Sequence, residues 1–363
     1  MVRRAAVSGV GVAGMNNSVP TALQEPGRQP VVTLARATGL AGVLGVLAVA
    51  SLLSLRIGSL PVTTEQVLDA LFNYSEDSYE QTVIRSLRLP RTLIGLGAGA
   101  ALAVAGAAMQ AVTRNPLAGP GILGVNSGAA FGVVMAVFFG GLTEPLQFVW
   151  FAFAGGLGAS LLVYAVGSAG AGGATPVKLA LAGVVISALL GTWQTAILLL
   201  DEQSLDVVRY WLAGSISGRD MRVFALVAPF LTCGTIGLLL FGHQLNVMNM
   251  GEDAARALGM RTGRVRAVVT LLVVLSAGAS VAAAGPIGFV GLAVPHMVRA
   301  ATGPDYRWIL VYSLIVGPIL ILGADITGRI VARPAELQVG IVTALLGAPF
   351  LISLARRRKV AAL

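Results

Sequence analysis

The chain has 363 residues, 56% of them hydrophobic and only 11% charged, with a mean hydropathy of +0.84. That balance excludes an ordinary soluble globule and points to an all-α polytopic membrane protein. The net charge of +9 is spread along the loops as an orientation signal, so no nucleic-acid partner is expected.

Residues 1–35 mix Gly, Pro, Ser, Asn, Gln and Arg. Arg3-Arg4 is followed by no sustained apolar core, so a secretory signal is a poor match and a flexible cytoplasmic tail is expected. Uncharged runs then mark the spans of a membrane domain at 36–356. The first is Ala37–Leu55. After it, Thr63-Thr64-Glu65-Gln66 has the pattern of a capped short helix outside the membrane.

The second span, Thr92–Thr113, carries 22 residues without a charge, enough to cross a bilayer as a helix. Arg85, Arg88 and Arg91 precede it, and Gly95, Gly97, Gly99 and Gly106 would let other helices approach its backbone closely. The residues alone read as the wall of a translocation path. Arg114-Asn115-Pro116-Leu117 then breaks the helix. A third span lies between Arg114 and Glu144, a fourth within Pro145–Val177 with a small-residue exit at 168–174, and a fifth at Leu179–Leu200. Asp201–Arg222 reads as a polar loop with Tyr210-Trp211 as an interfacial aromatic pair. Val223–Phe241 is the sixth span, and its Cys233 reads as a packed thiol.

The polar stretch His243–Arg266 holds a candidate partner-binding loop at 248–262. Gly251 opens it, Glu252 and Asp253 suit a first helical turn, and Gly259 stops it. Ala254, Ala255 and Leu258 would form a small apolar patch. Such a short helix is unstable alone in water and needs a partner surface, although an ordinary connector has the same sequence. Ala267–Val298 is too short for two full spans, so the break at Gly285-Pro286-Ile287-Gly288 predicts one span and one short helix. Trp308–Ala324 and Leu337–Ala355 complete about ten helices. A basic segment at 357–363 closes the chain.

Placing both termini inside puts sixteen cations inside against nine outside, and four acids inside against twelve outside. Cation counts in loops favour that orientation, with both ends in the cytoplasm. The turns at Asn115–Gly124 and Gly285–Gly291 echo each other, which suggests two inverted four-helix repeats and a transport path at their interface.

Two absences matter for function. No phosphate-binding loop is present. No carboxylate is expected deep in a span, with Asp325 and Glu336 placed at span ends, so an external energy source is favoured over an ion-coupled secondary transporter. With two histidines and no Cys/His ligand spacing, no metal centre and no catalytic constellation are expected.

A family resemblance rests on several dispersed motifs. They are Leu87-Arg88-Leu89-Pro90-Arg91-Thr92; Ala108-Met109-Gln110; Asn115-Pro116-Leu117-Ala118-x-Pro120-Gly121-Ile122-Leu123-Gly124; Gly251-x-x-Ala254-x-x-Leu258-Gly259; Gly285-x-Ile287-Gly288-Phe289-Val290-Gly291-Leu292-x-Val294-Pro295-His296; Ala324-Asp325; and Ala335-Glu336-Leu337-x-Val339-Gly340-Ile341-Val342-Thr343 with Leu346-Gly347-Ala348-Pro349-Phe350. The chain thereby resembles the FecCD-type permeases of type II ABC importers for iron-siderophores, haem and vitamin B12 over residues 40–355.

The resemblance implies a bacterial plasma-membrane permease with ten helices. It would work as a dimer with an identical or paralogous second permease, two cytoplasmic ABC ATPase subunits and an extracytoplasmic substrate-binding protein. ATP and Mg would sit on the partner ATPase, with no cofactor in this chain. Gly251–Gly259 would be the ATPase-coupling helix, Arg88 and Arg329 would dock the binding protein from outside loops, and Asn115 and Leu117 would form the inner gate. Met109-Gln110 reads as packing and His296 as structural. Gln338 stands where relatives often have proline.

Overall fold

A computed structural model describes residues 28–58, 60–170 and 175–358. Two compact units are distinguished, Met1–Gly39 and Leu40–Leu363. The first contributes only the beginning of one helix to the described residues, and the second holds the rest of that helix and every other element.

Among the described residues all regular structure is helical. In chain order the helices are α1 (Arg28–Arg56), α2 (Thr64–Phe72), α3 (Tyr79–Val83), α4 (Leu89–Thr113), α5 (Val125–Gly140), α6 (Pro145–Ser168), α7 (Pro176–Leu200), α8 (Glu202–Leu212), α9 (Met221–Leu240), α10 (Gly242–Asn249), α11 (Glu252–Ala257), α12 (Thr262–Ala284), α13 (Val290–Thr302), α14 (Tyr306–Val331) and α15 (Val339–Arg358). A π-helical turn, Ile84–Arg88, joins α3 to α4 without a break in the chain's course. Among the described residues seven helical segments are long and apolar enough to cross a membrane, and α5 and the Val339–Ser353 part of α15 are shorter apolar helices. The ten expected helices are approached if the 13-residue α13, which follows the break at 285–289, is counted with them.

Local signals explain the ends of these helices. α2 starts with a capping box: Gln66 N–H donates to the Thr63 hydroxyl while Thr63 N–H donates to the Gln66 side chain at 2.9 Å. Asp201, Asp220 and Asp305 cap α8, α9 and α14 in the same sense, each accepting a backbone N–H. Arg114 adopts φ 51°, a left-handed conformation that stops α4 ahead of Pro116.

The expected wall of a path is instead the central pillar. α4 is buried along most of its length and packs against α14, α12, α9 and α13. Its small residues set the spacing. A Cβ on Gly99 would lie 2.5 Å from Pro318 N on α14, and one on Gly106 would overlap the carbonyl of Gly291 on α13. Backbones therefore touch where a larger side chain would hold them apart.

The two halves repeat one neighbour pattern. α5 packs on α6, α6 on α7 and α5 on α7; likewise α13 packs on α14, α14 on α15 and α13 on α15. α4 and α12 lie side by side and lead into these triplets from opposite ends, through the breaks at 114–124 and 285–289. That is the inverted relationship suggested by the echo of the two turns.

Several expectations are corrected. Helix α1 begins at Arg28, inside the stretch expected to be tail, while residues 1–27 lie outside the described ones. α15 continues to Arg358, into the expected basic terminus; the rest of that segment and 171–174 of the small-residue exit also lie outside. The expected loop at Asp201–Arg222 contains α8, whose buried Ser204, Val208 and Trp211 recur at helical spacing. Trp211 is therefore core, edge-on to Phe148 at 6.4 Å, and only Tyr210 stays exposed. Cys233 faces outward from α9 instead of packing inside, because the outer faces of these helices are themselves apolar. Met109 and Gln110 pack as expected, Gln110 donating to the Leu292 carbonyl and accepting from Arg299.

Candidate functional site

The functional residues gather at the two ends of α4, which at 1.5 Å per residue are about 36 Å apart. At its N-terminal end Arg91 reaches two acids. Its Nη2 lies 2.7 Å from Asp325 Oδ1 and its Nη1 2.8 Å from Glu336 Oε2, and it also donates to Ser217 Oγ at 3.1 Å. Arg329 grips the other oxygen of Asp325 at 2.5 Å. Asp325 is fully buried, well inside α14 and not at a span end as the sequence suggested. It is tolerated there because two guanidinium groups face it.

Beside this cluster opens a cavity of about 390 Å³, lined among others by Arg91, Trp211, Ser215, Ser217, Arg219 and Glu336. Arg219 sits in the turn between α8 and α9. It is 7% exposed, and burial alone pulls its guanidinium down to about 10, so it remains charged at neutral pH.

At the opposite end, α11 projects between two glycines in backbone conformations that side chains resist, Gly251 at φ 122° and Gly259 at φ 79°. Glu252 fastens the helix. Its Oε1 accepts from Arg256 at 2.6 Å and its Oε2 from Arg266 at 3.2 Å, while Thr262 also donates to it. Burial pushes this carboxyl up, but Arg266, Arg256 and Thr262 outweigh it and hold it below the usual range. Leu258 is 67% exposed at the tip.

The chain as a whole has counterparts among known proteins. The description of the FecCD transport family matches residues 46–357. The chain belongs to the FecCD transport family. It is 43% identical over 328 residues to the ferric enterobactin transport system permease protein FepD of Escherichia coli (strain K12), covering 90% of this chain and 97% of that one. It is 45% identical over 306 residues to the Fe(3+)-citrate import system permease protein YfmD of Bacillus subtilis (strain 168), covering 84% and 90%. A solved structure assigned to a metal-chelate type ABC transporter, in an inward-facing conformation, superposes with a TM-score of 0.77 at 30% identity and covers 88% of this chain and 99% of that one.

In this FecCD permease the expected gate residues lie beside α11, the expected coupling helix. Leu117 N–H donates to Asn115 Oδ1 at 3.0 Å, closing a tight turn that leaves Leu117 exposed. Arg114, one residue earlier, points at Gly251: a Cβ there would lie 3.8 Å from its Nη1. Gly251, Glu252, Ala254, Leu258 and Gly259 thus stand together with Asn115 and Leu117 at one end of the fold. Ala255 departs from expectation, since it is fully buried and turns away from the tip. Met250, 68% exposed just before α11, is the other large apolar side chain left open there. A methionine preceding the opening glycine was the available signal.

Arg88 and Arg329 are a second departure. Neither sits in a loop nor offers a free fork; their exposures are 6% and 4%. Arg88 donates to the carbonyls of Leu55, Arg56 and Leu60, and Arg329 to those of Ser54 and Ile57 and to the Ser54 hydroxyl. The last turn of a helix leaves its carbonyls without partners. These two arginines satisfy that end of α1 and bind it to α4 and α14. Cations exposed near this end include Arg56 at the tip of α1, Arg85, stacked 4.3 Å over the Tyr74 ring, and Arg333. His296 lies half-buried on α13, edge-on to Phe350 at 5.9 Å.

Proposed function

We propose that this permease imports a ferric siderophore across the bacterial plasma membrane, powered by separate ABC ATPase subunits that grip α11 from the cytoplasm. The observation that carries the coupling is Leu258, exposed at the tip of a helix too short to stand alone and anchored through Glu252 to α12. An apolar tip of this size fits a groove on a soluble partner. ATP and Mg then belong to that partner. Two permeases, identical or paralogous, meet so that the Asn115–Leu117 turns close the cytoplasmic end of a path between them. Both termini face the cytoplasm, in keeping with the cation bias of the loops.

An extracytoplasmic binding protein delivers the chelate at the Arg91–Asp325 end. Because Arg88 and Arg329 are turned inward, its carboxylates meet exposed arginines at this end instead, Arg85 and Arg333 among them. The names of relatives handling ferric enterobactin and ferric citrate support an iron chelate as cargo.

The test is uptake of ⁵⁵Fe-labelled enterobactin, a hydroxamate siderophore and citrate, with labelled cobalamin as contrast, in cells with and without the permease. Loss of one ferric chelate alone is expected. Unchanged uptake of all three, or loss of cobalamin alone, overturns the cargo. Uphill transport by the purified chain without an ATPase overturns the coupling.

A further inference from the structure

The cavity beside Arg91 holds two donors with nothing to donate to. Arg219 is more than nine-tenths buried, its Nε has no acceptor, and among the described residues no hydrogen bond or ion pair reaches its guanidinium. Trp211, 98% buried, has an indole Nε1–H that likewise lacks an acceptor. Both side chains line the same cavity of about 390 Å³.

Buried donors, and buried charges above all, are normally satisfied. The nearby carboxylates do not serve Arg219, because each is committed elsewhere. Asp325 is held by Arg91 and Arg329, Glu336 by Arg91 and Ser217, and Asp220 caps α9 through Val223 N–H at 3.0 Å. What the cavity lacks is an acceptor bearing negative charge. Its volume equals that of about a dozen waters, which suits a small organic acid and is too little for an entire iron chelate.

We propose that this cavity is a binding site for a small carboxylate anion, with Arg219 as its charged fork and the Trp211 indole N–H as a second donor. A guanidinium presents two parallel N–H groups that match the two oxygens of a carboxylate, and Ser215 on the cavity wall adds a hydroxyl. The acid enters from the end of the fold that carries Arg91, away from α11. The site stands on this chain alone and holds whether or not the coupling and cargo above are right.

Citrate is the probe. The full chain in lipid nanodiscs is titrated calorimetrically with sodium citrate at pH 7 against sodium chloride of matched ionic strength, with no other protein present. Saturable binding is expected, weakened at least about tenfold by Arg219→Gln, by the loss of a charge-assisted bidentate contact, and about threefold by Trp211→Phe. Arg219→Met is expected to melt no lower than the parent without citrate, because it removes an unpaired buried charge, and to lose the rise in melting temperature that citrate gives the parent. No binding beyond the chloride control overturns the proposal. So does binding by the Gln and Phe variants at parental strength, or an Arg219→Met variant that melts several degrees lower without citrate, which would make the guanidinium a structural prop.

Discussion

Gly99 of α4 and Gly317 of α14 meet backbone to backbone. A Cβ on Gly99 would lie 2.5 Å from Pro318 N, and one on Gly317 would overlap the Gly99 carbonyl. The α4–α14 contact is thus set by two missing methyl groups. Gly99→Ala is expected to destabilise the chain by about 1–3 kcal/mol through overpacking. Gly263→Ala, at a site with nothing within 4 Å, should be neutral or slightly stabilising. Thermal melts of both variants in the same detergent check the contrast; equal melting temperatures would contradict it.

Asp325 neutralises the two buried arginines that converge on it. Asp325→Asn leaves both with one partner fewer and should cost about 3–5 kcal/mol, the range for breaking a buried pair. Glu336 is 38% exposed, so Glu336→Gln should cost under about 1 kcal/mol. Chemical denaturation of the two variants side by side tests the ranking.

Leu258→Asp should abolish co-purification of an ATPase subunit while leaving the melting temperature of the permease unchanged, because Leu258 touches little of its own chain. Glu252→Gln should loosen α11 and lower transport-coupled ATP hydrolysis without preventing assembly. An intact complex in the Leu258 variant would rule out the tip as the grip.

Asp305 carries a pH dependence of known sign. Arg307 pulls its carboxyl down foremost, burial opposes, and Asn246 adds to the pull, for a net fall from 3.8 to about 2. A depressed carboxyl stabilises the fold above its unfolded value and loses that contribution as pH falls. The loss should therefore run from about pH 4 to pH 2 and amount to about 1–2 kcal/mol after allowance for solvent near Arg307. Asp305→Asn should flatten that part of the acid-denaturation curve; an unaltered curve would refute the assignment.

What the sequence made legible was local. The Thr63–Gln66 capping box, the Gly251–Gly259 helix and the break at Gly285-Pro286 are each written within a few residues, and each is present in the fold. α8 was missed although its signal was there, an aspartate cap followed by buried positions at helical spacing. The destinations of Arg88 and Arg329 were not legible, because they depend on where the last turn of α1 comes to rest, some thirty residues away from one and some 275 from the other. The same holds for Arg219 and Trp211, whose want of partners emerges only once the surrounding acids have found theirs.

Pro318 adds a consequence to the Gly99 contact. A proline inside a helix withholds one rung of the hydrogen-bond ladder, and α14 has its proline at the height where its backbone touches Gly99 of α4. Across that contact the two arms of α14, one bearing Tyr306 and the other Asp325 and Arg329, are joined by packing on α4 where the helix's own ladder is interrupted.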